Sequence, residues 1–269
     1  MKQAKTAVLL AALVASVASC RTDATTSAAQ SSTTTTHSEH DLDARLRAVA
    51  DAMQLPPALD DQRPTLGQTV VDAQHIVDAF AAQHDWQAQA RLHFDSVEIH
   101  ATQASLWQRV LAIHDMPSTT PLPTSGLAAV LEGRVLMAVT PPVYREMHPA
   151  YTEQADFYTR ILAHEIVHRL HVAVLQGDED AMGPTWFFEG FAVVGSGQQM
   201  GAPLAYASVD EALAGAHDMK SPQAYRRFAA AVRFFMQRVP LTEMVAHAKD
   251  DDFEDWLRTT WTSSSDVAP

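Results

Sequence analysis

The clearest periodic pattern in the chain is an apolar stripe between residues 152 and 175. Its members recur every four residues and are Tyr158, Leu162, Ile166 and Leu170. The segment contains neither proline nor glycine. Since residues four apart share one face of an α-helix, the pattern predicts a helix over 152–175 whose stripe faces a core.

Shorter patterns on either side of this helix predict the remaining elements. Alternation of apolar and polar residues indicates strands, and apolar residues three or four apart indicate helices. In chain order we predict helices around 42–53 and 70–80, a strand at 97–101, a helix at 103–113, and a hairpin of 127–131 with 134–139 turning at Glu132-Gly133. The chain beyond Gln198 is predicted to be helical and to end on an apolar docking face of Phe253, Trp256, Leu257 and Trp261.

Three residues of the 152–175 helix carry candidate chemistry. His164 and His168 are four apart and on one helical face, so both can bind the same metal ion. Glu165 is one step round the helix, beside the position where a water would complete the coordination. The alternative is that the two histidines belong to an ordinary amphipathic helix and bind no metal. This alternative would be preferred if the motif stood alone.

A second apolar segment supplies a candidate third ligand. Glu189 lies in the middle of it, 21 residues after His168, in a helix that Pro184 begins and Gly195 and Gly197 end. A carboxylate in such surroundings is costly to bury unless a cation pairs with it. Two histidines and one glutamate leave the fourth position open, as catalytic zinc requires. Gly190, without a side chain, allows another helix to approach closely.

His171 is a competing ligand candidate, because it follows His168 by three residues. Sites with three histidines on an extended HExxHxxGxxH motif need a glycine and a further histidine that this chain lacks after His168. We therefore expect His171 to face solvent or to support the ligands from behind.

The two segments together resemble a known superfamily. HEIVH at 164–168 followed by WFFEGFA at 186–192 is similar to the gluzincins, which include thermolysin-like peptidases and zinc aminopeptidases. The resemblance implies an α+β, zincin-like fold, predominantly helical with a small mixed β-sheet that lines the active-site cleft. It implies one Zn²⁺ ion held by His164, His168 and Glu189, with Glu165 as general base. It also places a strand at 133–139 beside the cleft, with substrate extended along its free edge.

Two departures from the superfamily pattern refine these expectations. The Gly-x-Met-Glu-Asn motif, with which the aminopeptidases hold the substrate's free amine, is absent from this sequence. An endopeptidase is therefore favoured over an aminopeptidase. The spacer between His168 and Glu189 is slightly longer than in thermolysin-like enzymes, which indicates a longer loop between the two helices.

Catalysis of this kind also needs a hydrogen-bond donor for the developing oxyanion. Tyr225 is the leading candidate, on a helix predicted to begin with Ser221 as N-cap and Pro222 in the first turn. The segment resembles the Y-x-K-G helix of the aminopeptidases, although Phe228 replaces a small residue. A core tyrosine with a purely structural hydroxyl is the alternative, and His217 is the second donor candidate.

The amino-terminal segment indicates where in the cell the protein is located. Residues 1–19 have a short basic start and a small apolar run, which is typical of a signal peptide. The small residues before Cys20 resemble a bacterial lipobox, in which that cysteine is acylated and becomes the mature amino terminus. An ordinary secretory signal with an incidental cysteine is the alternative. The position of the sole cysteine of the chain at the cleavage point favours the lipobox.

The rest of the chain divides by composition. Residues 20–40 are rich in serine and threonine and are predicted to form a flexible tether. Residues 41–269 are predicted to form the peptidase domain, with an N-terminal helical part (41–95), the sheet and zinc helices (96–197) and a C-terminal helical lobe (198–269). Removal of residues 1–19 takes away two lysines and no acids, so the formal net charge changes from −13 to −15. Such acidity argues against nucleic acid as a partner.

The combined prediction is a zinc metallopeptidase at the bacterial cell envelope that hydrolyses peptide or protein substrates. Its membrane contact would be the lipid on Cys20, and Arg21 in place of an inner-membrane retention signal favours the outer membrane. The alternative is a catalytically inactive binding or scaffold lipoprotein on a peptidase-like fold. The sequence leaves the substrate and the oligomeric state open.

Overall fold

Ten α-helices and three strands are formed by the residues that the computed structural model describes, which are 35–124, 126–149, 152–199 and 201–263. The helices are α1 (Thr35–Asp51), α2 (Arg63–Gln83), α3 (Gln103–Ile113), α4 (Pro141–Met147), α5 (Phe157–Val174), α6 (Thr185–Ser196), α7 (Val209–Ala216), α8 (Ala224–Met236), α9 (Leu241–His247) and α10 (Phe253–Ser263). The strands are β1 (Ser96–His100), β2 (Ala129–Glu132) and β3 (Val135–Val139). The fold class is α+β, with helices predominating.

The strands form one small mixed sheet in the order β1-β3-β2. β1 runs parallel to β3, and β2 and β3 form the predicted antiparallel hairpin. The hairpin turns at Gly133 and Arg134, which both have positive φ values (51° and 61°), one residue later than expected. Two positive φ angles are typical of the tight turn whose twist matches that of the strands.

The sheet order corrects one expectation from the superfamily. The strand predicted at 133–139 is β3, which is the central strand and has no free edge, because β1 and β2 pair with it on both sides. The prediction of a substrate along the edge of this strand is therefore wrong. Both β1 and β2 are edge strands; the outer edge of β1 is bridged by Gln54, whereas the outer edge of β2 has no backbone partner among the described residues.

The hydrophobic core brings α2, α5 and α6 together. A Cβ atom added at Gly195 of α6 would come within 2.8 Å of Phe80 on α2 and Val167 on α5, so the three helices meet at this glycine. On another side of α6, a Cβ at Gly190 would lie 2.7 Å from the backbone oxygen of Phe228 on α8. The predicted close approach at Gly190 is confirmed, with α8 as the partner helix.

Several helix boundaries differ from the predictions. α5 begins at Phe157 rather than near residue 152, although its apolar stripe is buried as predicted. α8 begins at Ala224 after Gln223, and no side chain caps it, so Ser221 and Pro222 lie in the preceding turn. α1 begins at Thr35, inside the range 20–40 predicted as tether. α3 has the predicted bounds and a capping box between Thr102 and Ser105.

The predicted signal peptide (1–19) and Cys20 lie outside the described residues. Within the described part of the chain, no helix has the length and apolar character needed to cross a membrane.

Candidate metal centre

Helix α5 carries two of the three metal-ligand candidates and is tied to the sheet. The hydroxyl of Tyr158 donates a 2.6 Å hydrogen bond to the backbone oxygen of Val139, the last residue of β3. Below this contact, the apolar stripe of α5 is fully buried. Because the stripe fixes the rotation of the helix, His164 and His168 are held on the adjacent face.

Helix α6 carries the third candidate. Pro184 precedes its first turn, and Gly197 ends it in the left-handed conformation (φ 64°, ψ 25°) that favours glycine. Glu189 lies in the middle of the helix and is only 6% exposed, among side chains that are almost all apolar. A carboxylate so placed requires compensation by hydrogen-bond donors or a cation.

The three candidate ligand atoms converge on one point. The Nε2 atoms of His164 and His168 are 3.1 Å apart, and Glu189 Oε2 lies 3.3 Å from the former and 3.5 Å from the latter. Within the described residues, these three side chains form the group able to share a metal ion. The two sequence segments are thus brought together as predicted.

These spacings fit a tetrahedral ion. Ligand atoms at about 2.1 Å from a zinc ion and at tetrahedral angles lie about 3.4 Å from one another. The three observed separations, 3.1, 3.3 and 3.5 Å, bracket that value. The donor set of two imidazoles and one carboxylate is also a set that catalytic zinc uses.

Gln198 fixes the tautomer of His164. Its Oε1 lies 2.8 Å from His164 Nδ1, and an amide oxygen can only accept, so Nδ1 carries the proton. In the neutral ring, Nε2 then presents a lone pair towards His168 and Glu189. Metal-binding histidines characteristically have such a partner on their second nitrogen.

The loop that carries Gln198 is itself fastened to the start of α5. Arg160 donates to the backbone oxygen of Ser196 at 3.0 Å. The side chain of Gln154 bonds the backbone of Gly197 and accepts from the backbone N–H of Gln199. These bonds hold the end of α6 against α5, so the position of Gln198 is determined by the same two helices that position the ligands.

The two carboxylates of the centre differ in protonation. Burial alone would raise the pKa of Glu189, but without a metal the imidazolium forms of His164 and His168 donate hydrogen bonds to its carboxylate and hold the pKa below the usual range. Burial raises the pKa of Glu165 to about 8, with His164 lowering it and Glu189 raising it in part. A divalent cation beside Glu165 would favour its ionised form. The centre therefore has one carboxylate suited to coordination and one suited to proton transfer.

The three candidates and Glu165 open onto one cavity of about 680 Å³. Residues 126–132, which include β2, form one wall, and residues of α5 and α6 line other parts of the cavity. A cavity of this size accommodates several residues of an extended peptide. The prediction that a strand lines the cleft is thus met by β2 rather than by β3.

The two donor candidates have different positions. Tyr225 lines the cavity, and its ring centroid is 6.0 Å from that of His164. It is 37% exposed, so it faces the cavity rather than the core. His217 is not part of the cavity lining, and its Nε2 is 2.8 Å from Glu254 Oε1 on α10.

His171 is buried, so the first of its two predicted positions, facing solvent, is wrong. Its ring stacks on Phe191 with centroids 4.3 Å apart, and neither ring nitrogen has a hydrogen-bond partner in the described structure. Burial lowers its pKa to about 3. A neutral aromatic ring in the core behind the ligands is its observed role.

The polar residues of the cavity that the sequence analysis did not identify include Gln198, Glu132 and His148. Gln198 follows the glycine that ends α6, and no spacing rule relates it to His164. Glu132 was assigned to a turn, although an acid that continues an apolar strand is a signal of a functional carboxylate. His148 directly follows α4 and carried no motif.

Comparisons with protein-family models, curated proteins and solved structures found no match to this chain. The interpretation of the centre therefore depends on its own geometry.

The role of Gln198 leads to the first prediction. Gln198→Ala should weaken zinc binding about 10- to 100-fold, because His164 loses the bond that fixes its tautomer and ring orientation. Titration of the metal-free chain with zinc against a competing chelator measures this affinity. Gln199→Ala removes a side chain of the same type from the neighbouring exposed position and should leave the affinity unchanged. Equal affinities of the two variants would contradict the role.

Proposed function

We propose that this protein is a zinc-dependent metallopeptidase of the gluzincin type with a zincin-like fold. His164, His168 and Glu189 hold one zinc ion, and Glu165 is the general base. The observation that carries the proposal is the convergence of the three ligand atoms at the edge lengths of a zinc tetrahedron, beside a cavity that also contains Glu165. A site that only bound metal would not need Glu165, the second carboxyl group of the centre.

The residues of the centre divide the chemistry among them. A zinc ion bound there would supply a Lewis acid that lowers the pKa of a water and polarises a substrate carbonyl. Glu165 accepts the proton of the attacking water on its carboxylate and delivers it to the leaving nitrogen. Tyr225, which lines the cavity beside His164, donates its hydroxyl hydrogen to the oxyanion.

A peptide is the substrate class that the cavity supports best. The unpaired outer edge of β2 presents backbone N–H and C=O groups, and residues 126–132 border the cavity. An extended peptide can add to such an edge through main-chain hydrogen bonds. The sequence lacks the Gly-x-Met-Glu-Asn motif that would hold a free amine, so an endopeptidase remains our proposal.

Substitutions distinguish the three zinc ligands from the general base. His164→Ala, His168→Ala and Glu189→Ala should each lower the zinc content, because each removes one of three protein ligands. Glu165→Gln should keep the zinc and the fold but lose nearly all hydrolysis, because an amide cannot accept the proton. Elemental analysis and a proteome-derived peptide cleavage screen measure the two properties.

A matched control for these variants is His75→Ala, which removes an exposed histidine of α2 outside the cavity and should change neither property. Full zinc content in Glu189→Ala would show that the third ligand is another residue. Zinc binding without hydrolysis of any peptide by the unaltered chain would favour the binding or scaffold lipoprotein.

The role of Tyr225 is tested by Tyr225→Phe, which removes one hydroxyl and little volume. If the hydroxyl stabilises the oxyanion, kcat should fall by a factor of about 10²–10³ while KM changes little, because the bond strengthens in the transition state. Tyr206→Phe makes the same change outside the cavity lining and should leave kcat unchanged. A near-normal kcat with an intact zinc site would reject the role.

We also propose that Cys20 is lipidated and anchors the protein at the cell envelope, with the outer membrane favoured. The support is the sequence around the sole cysteine. In a bacterial host, the unaltered protein should partition into detergent and carry an acylated Cys20 by mass spectrometry, whereas Cys20→Ala should stay aqueous or unprocessed. Equal partitioning of the two proteins would refute the anchor.

A further inference from the structure

Glu132 is a buried carboxyl group in the wall of the cavity. It is the last residue of β2, it is 7% exposed, and it belongs to the cavity lining. The proposed hydrolysis does not use it, because Glu165 and the three zinc ligands account for the metal and the proton.

The immediate surroundings compensate this carboxyl group poorly. The nearest basic atom paired with it is His114 Nε2 at 3.6 Å, which is too far for a hydrogen bond. Arg169 attracts it from a distance, but the Arg169 guanidinium is engaged by Glu179 at 2.6 Å. Burial raises the pKa of Glu132 to about 7, with Arg169 lowering it and Glu179 raising it. A cation placed in the cavity would supply the missing charge.

Glu132 also lies near the reacting groups. The negative charge of Glu132 raises the pKa of Glu165. The positive charge of Arg169, on α5, lowers the pKa of Glu132. Glu165 and Arg169 are four residues apart on one face of α5, which corresponds to about 6 Å along the helix. Because Glu132 and Glu165 line the same cavity, a peptide bound there can present a cationic group to Glu132 while its scissile bond lies at Glu165.

The cavity lining as a whole carries a negative formal charge, like Glu132 itself. It contains five carboxyl groups and a single guanidinium, that of Arg169, so it stays formally negative even after a divalent ion is added. The carboxyl groups are those of Glu132, Glu165, Glu179, Asp180 and Glu189. A cavity with this charge distribution attracts cationic ligands and disfavours acidic ones.

We propose that Glu132 forms a subsite for a positively charged group of the substrate, an ammonium or guanidinium, and so makes the protein selective for basic peptides. The inference rests on the proposed peptidase function and names its substrate class. The cationic group is supplied by a lysine or arginine side chain, since a free amino terminus bound there would make the protein an aminopeptidase. A buried acid that merely completes the hairpin would give no such selectivity.

The test measures binding separately from cleavage. The zinc-loaded full chain in detergent, carrying Glu165→Gln to prevent hydrolysis, is titrated with short peptides by calorimetry. The peptides carry arginine, lysine, citrulline or norleucine at each position in turn of an otherwise neutral frame, with a free or an acetylated amino terminus. The same peptides are offered to the unaltered chain to measure hydrolysis.

At one position, the arginine and lysine peptides should bind at least about 30-fold more tightly than their neutral counterparts, the scale expected for a buried charge pair. Addition of Glu132→Gln should abolish this ratio. Asp180→Asn removes one charge from an exposed part of the same lining and should preserve it. If acetylation, rather than loss of the basic side chain, weakens binding, Glu132 binds the amino terminus and the selectivity for basic peptides is overturned.

The possible failures are distinguishable. Hydrolysis by the unaltered chain without any preference for basic peptides would overturn the subsite and leave the proposed function intact. A preference that survives Glu132→Gln, or that Asp180→Asn reduces equally, would also overturn it. Selective binding without hydrolysis by the unaltered chain would refute the peptidase function and uphold the subsite.

Discussion

The burial of one carboxylate in an apolar helix is the constraint on which the centre depends. Glu189 lies in α6 among aromatic and aliphatic side chains, where an uncompensated negative charge would cost several kcal/mol. The compensation comes from His164 and His168 on α5, which approach its oxygen within 3.5 Å. A metal ion shared by the three groups would satisfy all of them together.

The packing of the fold serves this contact. Gly195 lets α6 approach α5 and α2, and Gly190 lets α8 approach α6 from another side. Gly197 turns the chain so that Gln198 returns to His164, and Arg160 secures that turn from α5. Because these contacts link the same two helices, displacement of either one would disturb every ligand atom at once.

The sequence predicted the parts of the centre that follow from helical periodicity. His164 and His168 share a helical face by their spacing, and the apolar surroundings of Glu189 required a partner that α5 provides. The hairpin and the bounds of α3 were predicted for similar local reasons, whereas the α+β class was expected from the resemblance to the gluzincins. The close approach at Gly190 was also foreseen, although not its partner.

Non-local pairing was harder to predict. The order β1-β3-β2 depends on a parallel crossover pairing that no local pattern encodes, so the free edge was assigned to β3 instead of β2. His171 has a polar ring, and its burial against Phe191 follows from how α5 and α6 cross. Gln198 reaches His164 only because Gly197 adopts a left-handed conformation, and the roles of Gln198 and Glu132 became apparent only in the folded chain.

The central claim is that two imidazoles and one carboxylate hold a single zinc ion. X-ray absorption at the zinc edge of the full chain, loaded with one equivalent of zinc, tests it most directly. The account predicts a four-coordinate ion with only nitrogen and oxygen neighbours at about 2.0–2.2 Å and the multiple-scattering signature of two histidines. A six-coordinate, water-like spectrum, or one in which histidine scattering persists unchanged after His164→Ala and His168→Ala together, would contradict it.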